Sequence, residues 1–455
     1  MFKKMVRLSH LDLSGNKDLI LANDDSTSIL PNLSLLDVRY CNLMEFPLVG
    51  INSLVLVQVS YNKISGRIFP RGSNGWQKLD YLDASHNLIT GFHEYPGNSI
   101  FQLDLSFNLL QGSLLPPPPS MGILLLLNNQ LTGLINSDFC NRTNLQILDL
   151  SFNNLTGVLP PCLMGLHSFT EVLNLQSNRF HGAIPDISGT NFSYPYFLIL
   201  SDNQFEGILP KPLKHGYFGI LDVRNNRITD TFPTAITASV LILSSNNFYG
   251  EIDVSGNPES CLEVNILDVS NNNLSGQIPS WCSEFSSLKN QPPKSIRDEQ
   301  YVGHEAEYRG HQGGSYSITW SIQLAFKGSR LKMKRIPYDW AIMDFSDNRF
   351  SGEIPPVVMH DQILKDLNLA NNVLSGRIPS SINNMTRLKS LDLSGNKFSG
   401  QIPETLMSLR LLHYLNLSNN QLEGRIPEGN RSAQFSSSSY VGNKGLCGHP
   451  LTKIC

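Results

Sequence analysis

The chain has 455 residues, a formal net charge of −3 and only 16% charged residues. This balance disfavours nucleic-acid binding, which needs a basic excess. Asparagine occurs 43 times, more often than the 35 lysines and arginines together, which indicates that this residue has a structural role.

No stretch of the chain approaches the roughly 18–20 consecutive apolar residues that a membrane-spanning helix needs. The richest run, MGILLLL from Met121, ends after seven residues. The first residues are basic, but they lack the apolar core and the small-residue cleavage site of a secretory signal peptide. From the sequence alone we expect no spanning helix and no export signal within these residues.

A pattern of the form LxxLxLxxN repeats along the chain. One copy, LSHLDLSGN, ends at Asn16, and another, LDYLDASHN, ends at Asn87. The last four copies follow one another at a spacing of 24 residues. The sixteen units place their final residue at Asn16, Cys41, Asn62, Asn87, Asn108, Asn129, Asn153, Asn178, Asn203, Asn226, Asn246, Asn272, Asn348, Asn372, Asn396 and Asn420.

Each unit predicts a short strand followed by a turn. The three apolar residues of LxxLxL point inward, and the asparagine hydrogen-bonds to backbone groups left unpaired at the turn, with Cys41 as a small substitute. Because one unit cannot bury its apolar face alone, neighbouring units must stack. The predicted fold is an α/β-type repeat solenoid, a curved leucine-rich-repeat arc with a parallel concave sheet.

Aspartate recurs between the two strand leucines, and this row could be mistaken for a catalytic array. Paired catalytic acids need distinct environments, whereas a repeated row gives nearly identical ones. The motifs HExxH, GxSxG and GxxxxGK[ST] are also absent from the sequence, so we expect no enzymatic activity. The row consists of Asp12, Asp37, Asp83, Asp104, Asp149, Asp222, Asp268, Asp344 and Asp392.

An island interrupts the repeats between Asn272 and Asn348. Its first part, roughly residues 289–314, is polar and is predicted to be a loop. From Ser315 to Lys327 apolar and polar residues alternate, which predicts a strand. A turn at Gly328 and Ser329 and a second alternating segment then complete a predicted β-hairpin.

Five cations fall within nine residues of this hairpin: Lys327, Arg330, Lys332, Lys334 and Arg335. Lysines commonly guard edge strands, so one interpretation is a solvated hairpin edge. The alternative is a contact surface for a peptide or carbohydrate partner. On that alternative the candidate ligand-binding residues are Lys327, Arg330, Lys332 and Lys334, with Tyr316 as a possible anchor, although an aromatic residue at strand period more often packs in a core.

The regular repeats after the island form a second candidate surface. Their outward strand positions include Lys365, Lys389, His413 and Tyr414, a polar set with one aromatic ring that can serve as an interface. The alternative is that the regular spacing reflects only repeat duplication or stability.

The cysteines predict disulfides between neighbouring repeats and in a C-terminal cap, because stacked repeats bring such residues within bonding distance. The predicted pairs are Cys140 with Cys162, Cys261 with Cys282, and Cys447 with Cys455, which leaves Cys41 buried in the ladder. Disulfides indicate an oxidising compartment. The sequence has no CxxC motif or clustered histidines, so we expect no metal or cofactor.

Eight sequons point to the same compartment, at Asn32, Asn141, Asn154, Asn191, Asn273, Asn384, Asn416 and Asn430. The repeat motif itself generates some of them, so we expect about half to carry a glycan.

These motifs together resemble the ectodomain of plant receptor-like proteins. The units LxxLxLSxNxLSGxIP are similar to the plant-specific class of leucine-rich repeat. The stretches QGSLLPPPPS, FCNRTNLQILDLSFNNLTGVLPPCL, RNNRITDTFP and QFSSSSYVGNKGLCGHPL resemble the family in the same order. The corresponding domains are repeats 1–12 in residues 1–282, the island in 283–339, repeats 13–16 in 340–428 and a cysteine cap in 429–455.

The resemblance implies a non-enzymatic receptor on the extracellular face of the plasma membrane. Such a receptor binds an extracellular peptide, protein or carbohydrate ligand in immunity or development, and it signals through partner receptor kinases. In this family the repeats after the island look like the docking surface for a co-receptor kinase, which assigns that role to Lys365, Lys389, His413 and Tyr414. Membrane association would come from family segments outside this sequence. The alternatives are a soluble leucine-rich-repeat inhibitor of a microbial wall-degrading enzyme and a non-functional truncated paralogue.

Overall fold

The computed structural model describes residues 7–19, 32–46, 53–69, 76–140, 145–165, 171–188, 195–253, 264–279, 341–356, 358, 363–428 and 435–455, together with the backbone of six strands between residues 301 and 337. The chain divides into two compact units. The first is Met1–Phe205 with Glu305–Thr319, and the second is Glu206–His304 with Trp320–Cys455.

Within its described residues, the first unit has nine short parallel strands that pair side by side, one from each repeat. Neighbouring strands pair in register, so that Leu36 lies beside Leu11 on one side and Val57 on the other. The middle residue of every strand from the second onward is buried, and the residue after it is often more exposed, as at Asp83. The strands are His10–Asp12, Leu35–Asp37, Leu56–Gln58, Tyr81–Asp83, Gln102–Asp104, Ile123–Leu125, Ile147–Asp149, Val172–Asn174 and Phe197–Ile199.

The second unit contains seven strands of the same kind. The strand Ile266–Asp268 pairs directly with Ala341–Asp344, so the island is an insertion between two neighbours in the sheet. The predicted repeat solenoid with a parallel sheet and an island is therefore confirmed. The strands are Tyr217–Asp222, Thr237–Ile242, Ile266–Asp268, Ala341–Asp344, Leu364–Asn368, Ser390–Asp392 and Tyr414–Asn416.

A ladder of buried asparagines holds successive turns together. At Asn87, the side-chain amide donates to the carbonyl oxygens of Val59 and Ala84 at 3.0 and 3.1 Å. Its Oδ1 accepts the backbone N–H of Ile64 at 3.0 Å. One side chain therefore satisfies backbone groups from two repeats, which explains why the sequence is rich in asparagine.

Two positions of the ladder differ from the others. The buried Cys41 thiol donates to the carbonyl of Leu13 at 3.1 Å, which replaces one donor of the usual amide. In the C-terminal cap, Asn443 occupies a further ladder position that the repeat pattern did not predict. Its amide donates to the carbonyl of Leu417 at 2.9 Å, and its Oδ1 accepts the N–H of Leu422 at 3.0 Å.

From the third repeat onward, further short strands follow the ladder position, and many of these segments have the form NxLSGxIP. The glycine of this segment lies in the left-handed region, as at Gly376 with a φ of +81°, which explains its recurrence. These strands are Ser65–Ile68, Leu88–Phe92, Gln111–Gly112, Gln130–Gly133, Asn154–Gly157, Arg179–Ala183, Gln204–Gly207, Arg227–Ile228, Tyr249–Glu251, Asn273–Gly276, Arg349–Gly352, Val373–Gly376, Lys397–Gly400, Gln421–Arg425 and Gly445–Cys447.

The helices among the described residues are short. The four-residue α-helix is Lys211–Lys214. The 3-10 helices are Ser137–Cys140, Pro161–Gly165, Ser380–Asn384, Glu404–Ser408 and Ser437–Ser439.

The island differs from its prediction in two respects. The expected strand from Ser315 to Lys327 is two strands, Ser315–Thr319 and Ile322–Phe326, and the second forms an antiparallel hairpin with Ser329–Met333. The segment expected to be a loop contains Tyr301–Val302, paired with Ile336–Pro337, and Glu305–Arg309, paired with Ser315–Thr319. Alternation in a sequence identifies a strand but not its partner. The EAEYR segment also alternates, with Ala306 and Tyr308 as its apolar positions, but it is short and lies in a polar stretch that was predicted to be a loop.

The cap closes the last repeat of the second unit. Its strand Gly445–Cys447 pairs in parallel with Gln421–Arg425. Tyr440, which precedes this strand, and Leu446, which lies in it, are both buried. Cys447 and Cys455 form a disulfide with their Cα atoms 5.0 Å apart. Among the other cysteines, Cys162 is disulfide-bonded, while the side chain of Cys140 and both Cys261 and Cys282 lie outside the described part of the chain. The pairings predicted for these residues remain predictions.

Candidate functional site

The predicted ligand-binding cluster lies in the island, where the structure describes only backbone. Lys327 and Lys334 fall outside the described residues. Arg330 and Lys332 lie in the strand Ser329–Met333, paired with Ala325 and Gln323. Tyr316 lies in the strand Ser315–Thr319, which belongs to the first unit, whereas Arg330 and Lys332 belong to the second. The role assigned to these residues therefore stays a prediction.

The predicted co-receptor residues are brought together in the second unit. Lys365, Lys389 and His413 occupy the same position in three consecutive repeats. The N–H of Lys389 donates to the carbonyl of Lys365 at 2.7 Å, and the N–H of His413 donates to the carbonyl of Lys389 at 2.9 Å. Lys389 and His413 are exposed and Lys365 is half-buried. These residues therefore form a polar row across neighbouring strands.

Tyr414 lies beside this row and is fixed in place. Its hydroxyl donates to Oδ2 of Asp392 at 3.0 Å, and 40% of the residue remains exposed. Burial and the Asp392 carboxylate raise the pKa of Tyr414, so the hydroxyl remains a donor at neutral pH. A tyrosine held in one orientation loses little further freedom when a partner covers it, which favours binding. We call Lys365, Lys389, His413 and Tyr414 the post-island row.

The sequon at Asn416 lies on the same strand as Tyr414. Its side-chain nitrogen, which would carry a glycan, donates to Asp392 at 3.2 Å, and its Oδ1 accepts the N–H of Ser418. Asn416 is half-buried, whereas the sequon residue Asn273 is exposed. Local geometry therefore disfavours a glycan next to Tyr414. Of the remaining predicted sequons, Asn32 is exposed, Asn154 and Asn384 are half-buried, and Asn141, Asn191 and Asn430 lie outside the described residues.

The aspartate row has a structural role in the turns. At Asp149, Oδ1 accepts both the N–H and the hydroxyl of Ser151, at 2.9 and 2.6 Å. Where two such carboxylates are neighbours, burial and mutual repulsion favour the protonated form. These effects raise the pKa of Asp104, next to Asp83, to about 7, and they raise that of Asp344 similarly, next to Asp268. Among the described residues no cluster of three metal-ligating side chains occurs.

A stack of four rings forms a further surface in the first unit, and we call it the ring stack. It consists of Tyr40, Tyr61, His86 and Phe107. The centroid distances are 4.5 Å between Tyr40 and Tyr61, 4.1 Å to His86 and 4.3 Å to Phe107, and the rings are within 13° of parallel. Tyr40 and Tyr61 are 49% and 45% exposed. Each residue immediately precedes the ladder position of its repeat, so the spacing of the rings follows the spacing of the strands.

The ring stack has a conformational cost. All four residues have positive φ angles between 53° and 57°, which costs a non-glycine residue roughly 1–2 kcal/mol. A stacked aromatic pair contributes about 0.5–1.5 kcal/mol beyond its buried area. The free energy gained from the three stacking contacts is therefore of the same order as the free energy lost to the four strained residues. Asparagine tolerates this conformation better and occupies the equivalent position at Asn128 and Asn225, so stability alone does not explain the rings.

Our sequence interpretation missed the ring stack. The signal is present, because the residue before the ladder position is Tyr, Tyr, His and Phe in four successive repeats. It was overlooked because this position varies freely along the chain, and aromatic residues are unexpected in the left-handed conformation.

Two leucine-rich-repeat family profiles match the chain. One covers residues 362–422 and the other covers residues 144–166 and 263–285. None of the helices in the described part of the chain is long and apolar enough to cross a membrane.

Curated relatives from Arabidopsis thaliana are similar over most of the chain. Receptor-like protein 54 is 35% identical over 366 residues, which are 78% of this chain and 44% of the relative. Receptor-like protein 47 is 37% identical over 378 residues, with the same two shares. The chain therefore spans less than half the length of these relatives.

Among solved structures, the leucine-rich-repeat ectodomain of the Arabidopsis receptor kinase HAESA, in complex with an N-terminally extended IDA peptide hormone, is 27% identical. The alignment covers 94% of this chain and 68% of that one, with a TM-score of 0.66. The fold, the repeat profiles and the relatives agree. The chain belongs to the leucine-rich-repeat receptor-like proteins of plants.

Proposed function

We propose that this chain is the ligand-binding part of a plant cell-surface receptor. In this role it binds an extracellular ligand in immunity or development and signals through a partner receptor kinase. The family supports the receptor role, and the HAESA ectodomain, solved with a peptide hormone, supports a peptide as the ligand class. The disulfide in the cap is consistent with an extracellular location.

The observation that carries the proposal is the post-island row. It combines the exposed Lys389 and His413 with a tyrosine that a carboxylate holds in place. Tyrosine is enriched where binding energy is concentrated in protein interfaces, and lysine beside it supplies charge complementarity to an acidic partner. A co-receptor kinase ectodomain with an acidic patch fits this surface, and the absence of a glycan at Asn416 would keep it open.

The proposal is tested by co-purification of a co-receptor kinase ectodomain with this chain, in the presence and absence of a plant extracellular peptide fraction. A Tyr414→Ala, Lys389→Glu double variant should lose most of the peptide-dependent recovery of the partner. The matched control is Lys397→Glu, because Lys397 is exposed in the same repeat but lies on its other strand, Lys397–Gly400. Equal recovery with the double variant and wild type would remove this surface from consideration.

The island cations remain the proposed ligand contact. Reversing the charge of Lys332 and Lys334 should weaken ligand binding and leave the melting temperature close to that of wild type, because solvent-exposed charges contribute little to stability. Unchanged affinity would instead identify the cluster as a solvated hairpin edge.

A further inference from the structure

The ring stack has an open end at its first ring. In the repeat before Tyr40, the equivalent position is Gly15. The correspondence follows from the backbone, because the N–H of Gly15 donates to the carbonyl of Arg39 just as the N–H of Tyr40 donates to that of Ser60. The stack thus reaches a position that has no side chain.

The space at Gly15 is large enough for another group. Gly15 has a φ of +79°, and no described atom lies within 4 Å of the place that its Cβ would occupy. Among the described side chains, the Tyr40 ring stacks on Tyr61, on the side away from Gly15. The outer face of the Tyr40 ring therefore borders a slot that continues the stack. A flat group about 4–4.5 Å above the ring would fill it in the way that each ring of the stack covers the next.

An exposed carboxylate lies near this slot. Asp12 lies three residues before Gly15, is exposed, and pairs in register with Asp37. The Arg39 guanidinium is bound to Asp37 through three contacts of 2.6–3.0 Å, so this pair is neutral. Hydrogen bonds from Ser14, with the charge of Arg39, lower the pKa of Asp12. Its carboxylate therefore remains charged across the physiological pH range.

The carboxylates of the aspartate row affect the pKa of a group at the position occupied by the ring stack. After burial and the neighbouring Tyr40, the charges of Asp83 and Asp104 contribute to raising the pKa of Tyr61. Asp83 and Asp104 lie one and two repeats after Tyr61, and the corresponding residues after Gly15 are Asp37 and Gln58. Because Arg39 neutralises Asp37, the charged carboxylate that remains near the slot is that of Asp12. A cation in the slot would gain from the Asp12 carboxylate and from the face of the Tyr40 ring.

We propose that the Gly15 slot binds the guanidinium of an arginine side chain in a peptide or protein ligand, stacked on Tyr40 and paired with Asp12. A guanidinium is planar and always charged, and it presents paired donors that match a carboxylate. An ammonium has the charge without the flat shape, and a neutral ring has the shape without the charge. The inference rests on the proposed function in one respect, that the chain binds a peptide or protein.

The first test compares two small probes, N-acetyl-arginine amide and N-acetyl-lysine amide, on the whole chain by saturation-transfer NMR. They have equal charge and differ in the shape of the cation. The arginine probe should bind with the methylene groups next to its guanidinium in contact with the protein. The lysine probe should bind roughly two- to fivefold more weakly. Equal binding of the two probes, or no binding of the arginine probe, would overturn the proposal.

The second test fills the slot without removing any group that lines it. Gly15→Asn places the residue found at Asn128 and Asn225 into a position where the backbone suits asparagine and no described atom obstructs it. Saturation transfer from the arginine probe should disappear while the melting temperature stays near that of wild type. The matched control Ser177→Asn makes the same residue at the equivalent position of a distant repeat, and it should bind as wild type does. Retained binding in Gly15→Asn would contradict the slot.

A third variant, Asp12→Asn, separates charge from stacking. It should weaken binding of the arginine probe more than binding of the lysine probe, because only the guanidinium pairs with the carboxylate in a bidentate manner.

Capture from a random peptide library then distinguishes this proposal from the receptor proposal. Peptides bound without any enrichment of arginine would remove the slot and leave ligand binding intact, whereas an absence of bound peptides would count against both.

Discussion

The asparagine ladder predicts a large cost for a single substitution in the cap. Asn443 is buried, and its side chain bonds to the N–H of Leu422 and to the carbonyls of Leu417 and Tyr440, at 2.9–3.0 Å. Asn443→Ala leaves these three backbone groups without their partner. A buried polar group left unsatisfied costs about 1–3 kcal/mol, and some of these groups will regain water at the end of the solenoid. We therefore expect a local loss of roughly 2–5 kcal/mol.

The assay is native-state hydrogen exchange, because repeat proteins are stabilised by nearest-neighbour interfaces and can open locally. The reporter is the N–H of Leu417, which donates to Ser439 across the junction of the last strand and the cap. At 1.4 kcal/mol for each factor of ten, its exchange should accelerate by about 30-fold or more. Lys444→Ala is the control, since Lys444 is exposed beside Asn443. Equal exchange in the two variants would refute the ladder's role in holding the cap.

Three other predictions concern pH, glycans and disulfides. The pKa of Asp104 is raised to about 7 in the folded chain, above an unfolded value of about 3.9, so the folded state holds the extra proton. The free energy of unfolding should therefore fall as pH rises from about 4 to 7, and Asp104→Asn should flatten this fall in denaturant titrations, whereas an unchanged slope would contradict it. Glycopeptide mass spectrometry of protein secreted from plant cells should find a glycan at Asn273 and none at Asn416, and occupancy at Asn416 would argue against the post-island row. Peptide mapping of the same material should find Cys140 joined to Cys162, and a free thiol at either residue would weaken the inference of an oxidising compartment.

Most of the fold follows from the spacing of the repeats. Inward positions such as Leu82 and Asn87 are fixed by burial and by backbone hydrogen bonds, and both constraints recur in every repeat. The ladder position within the predicted cap was missed because Asn443 is preceded by Tyr440 and not by the usual pair of leucines, although Tyr440 is equally buried. The large Tyr440 ring can fill the space that strand leucines fill in the repeats. A search pattern based on leucine does not detect such a replacement.

The strands of the island show a different limit. The alternation in residues 315–326 identified extended chain, yet two successive strands with two different partners give the same alternation as one long strand. Pairing is decided by backbone hydrogen bonds and by register, which the side-chain pattern specifies only where one face is buried. For the candidate surfaces the limit is stronger, because outward positions are not needed for folding and their residue types carry no repeated signal.

An outward position becomes informative where its residue opposes the local backbone preference. The post-island row could be predicted only as a polar set, since lysine and histidine at an exposed strand position cost the fold little. The ring stack is different, because Tyr40 and its neighbours keep aromatic side chains in a conformation that asparagine adopts more easily elsewhere in the same chain. Different repeats can therefore be compared directly, because the same backbone position holds an aromatic residue in some of them and asparagine in others. That comparison separates a side chain selected for contact from one selected for folding, and it directs the search for a ligand to the surface beside Gly15.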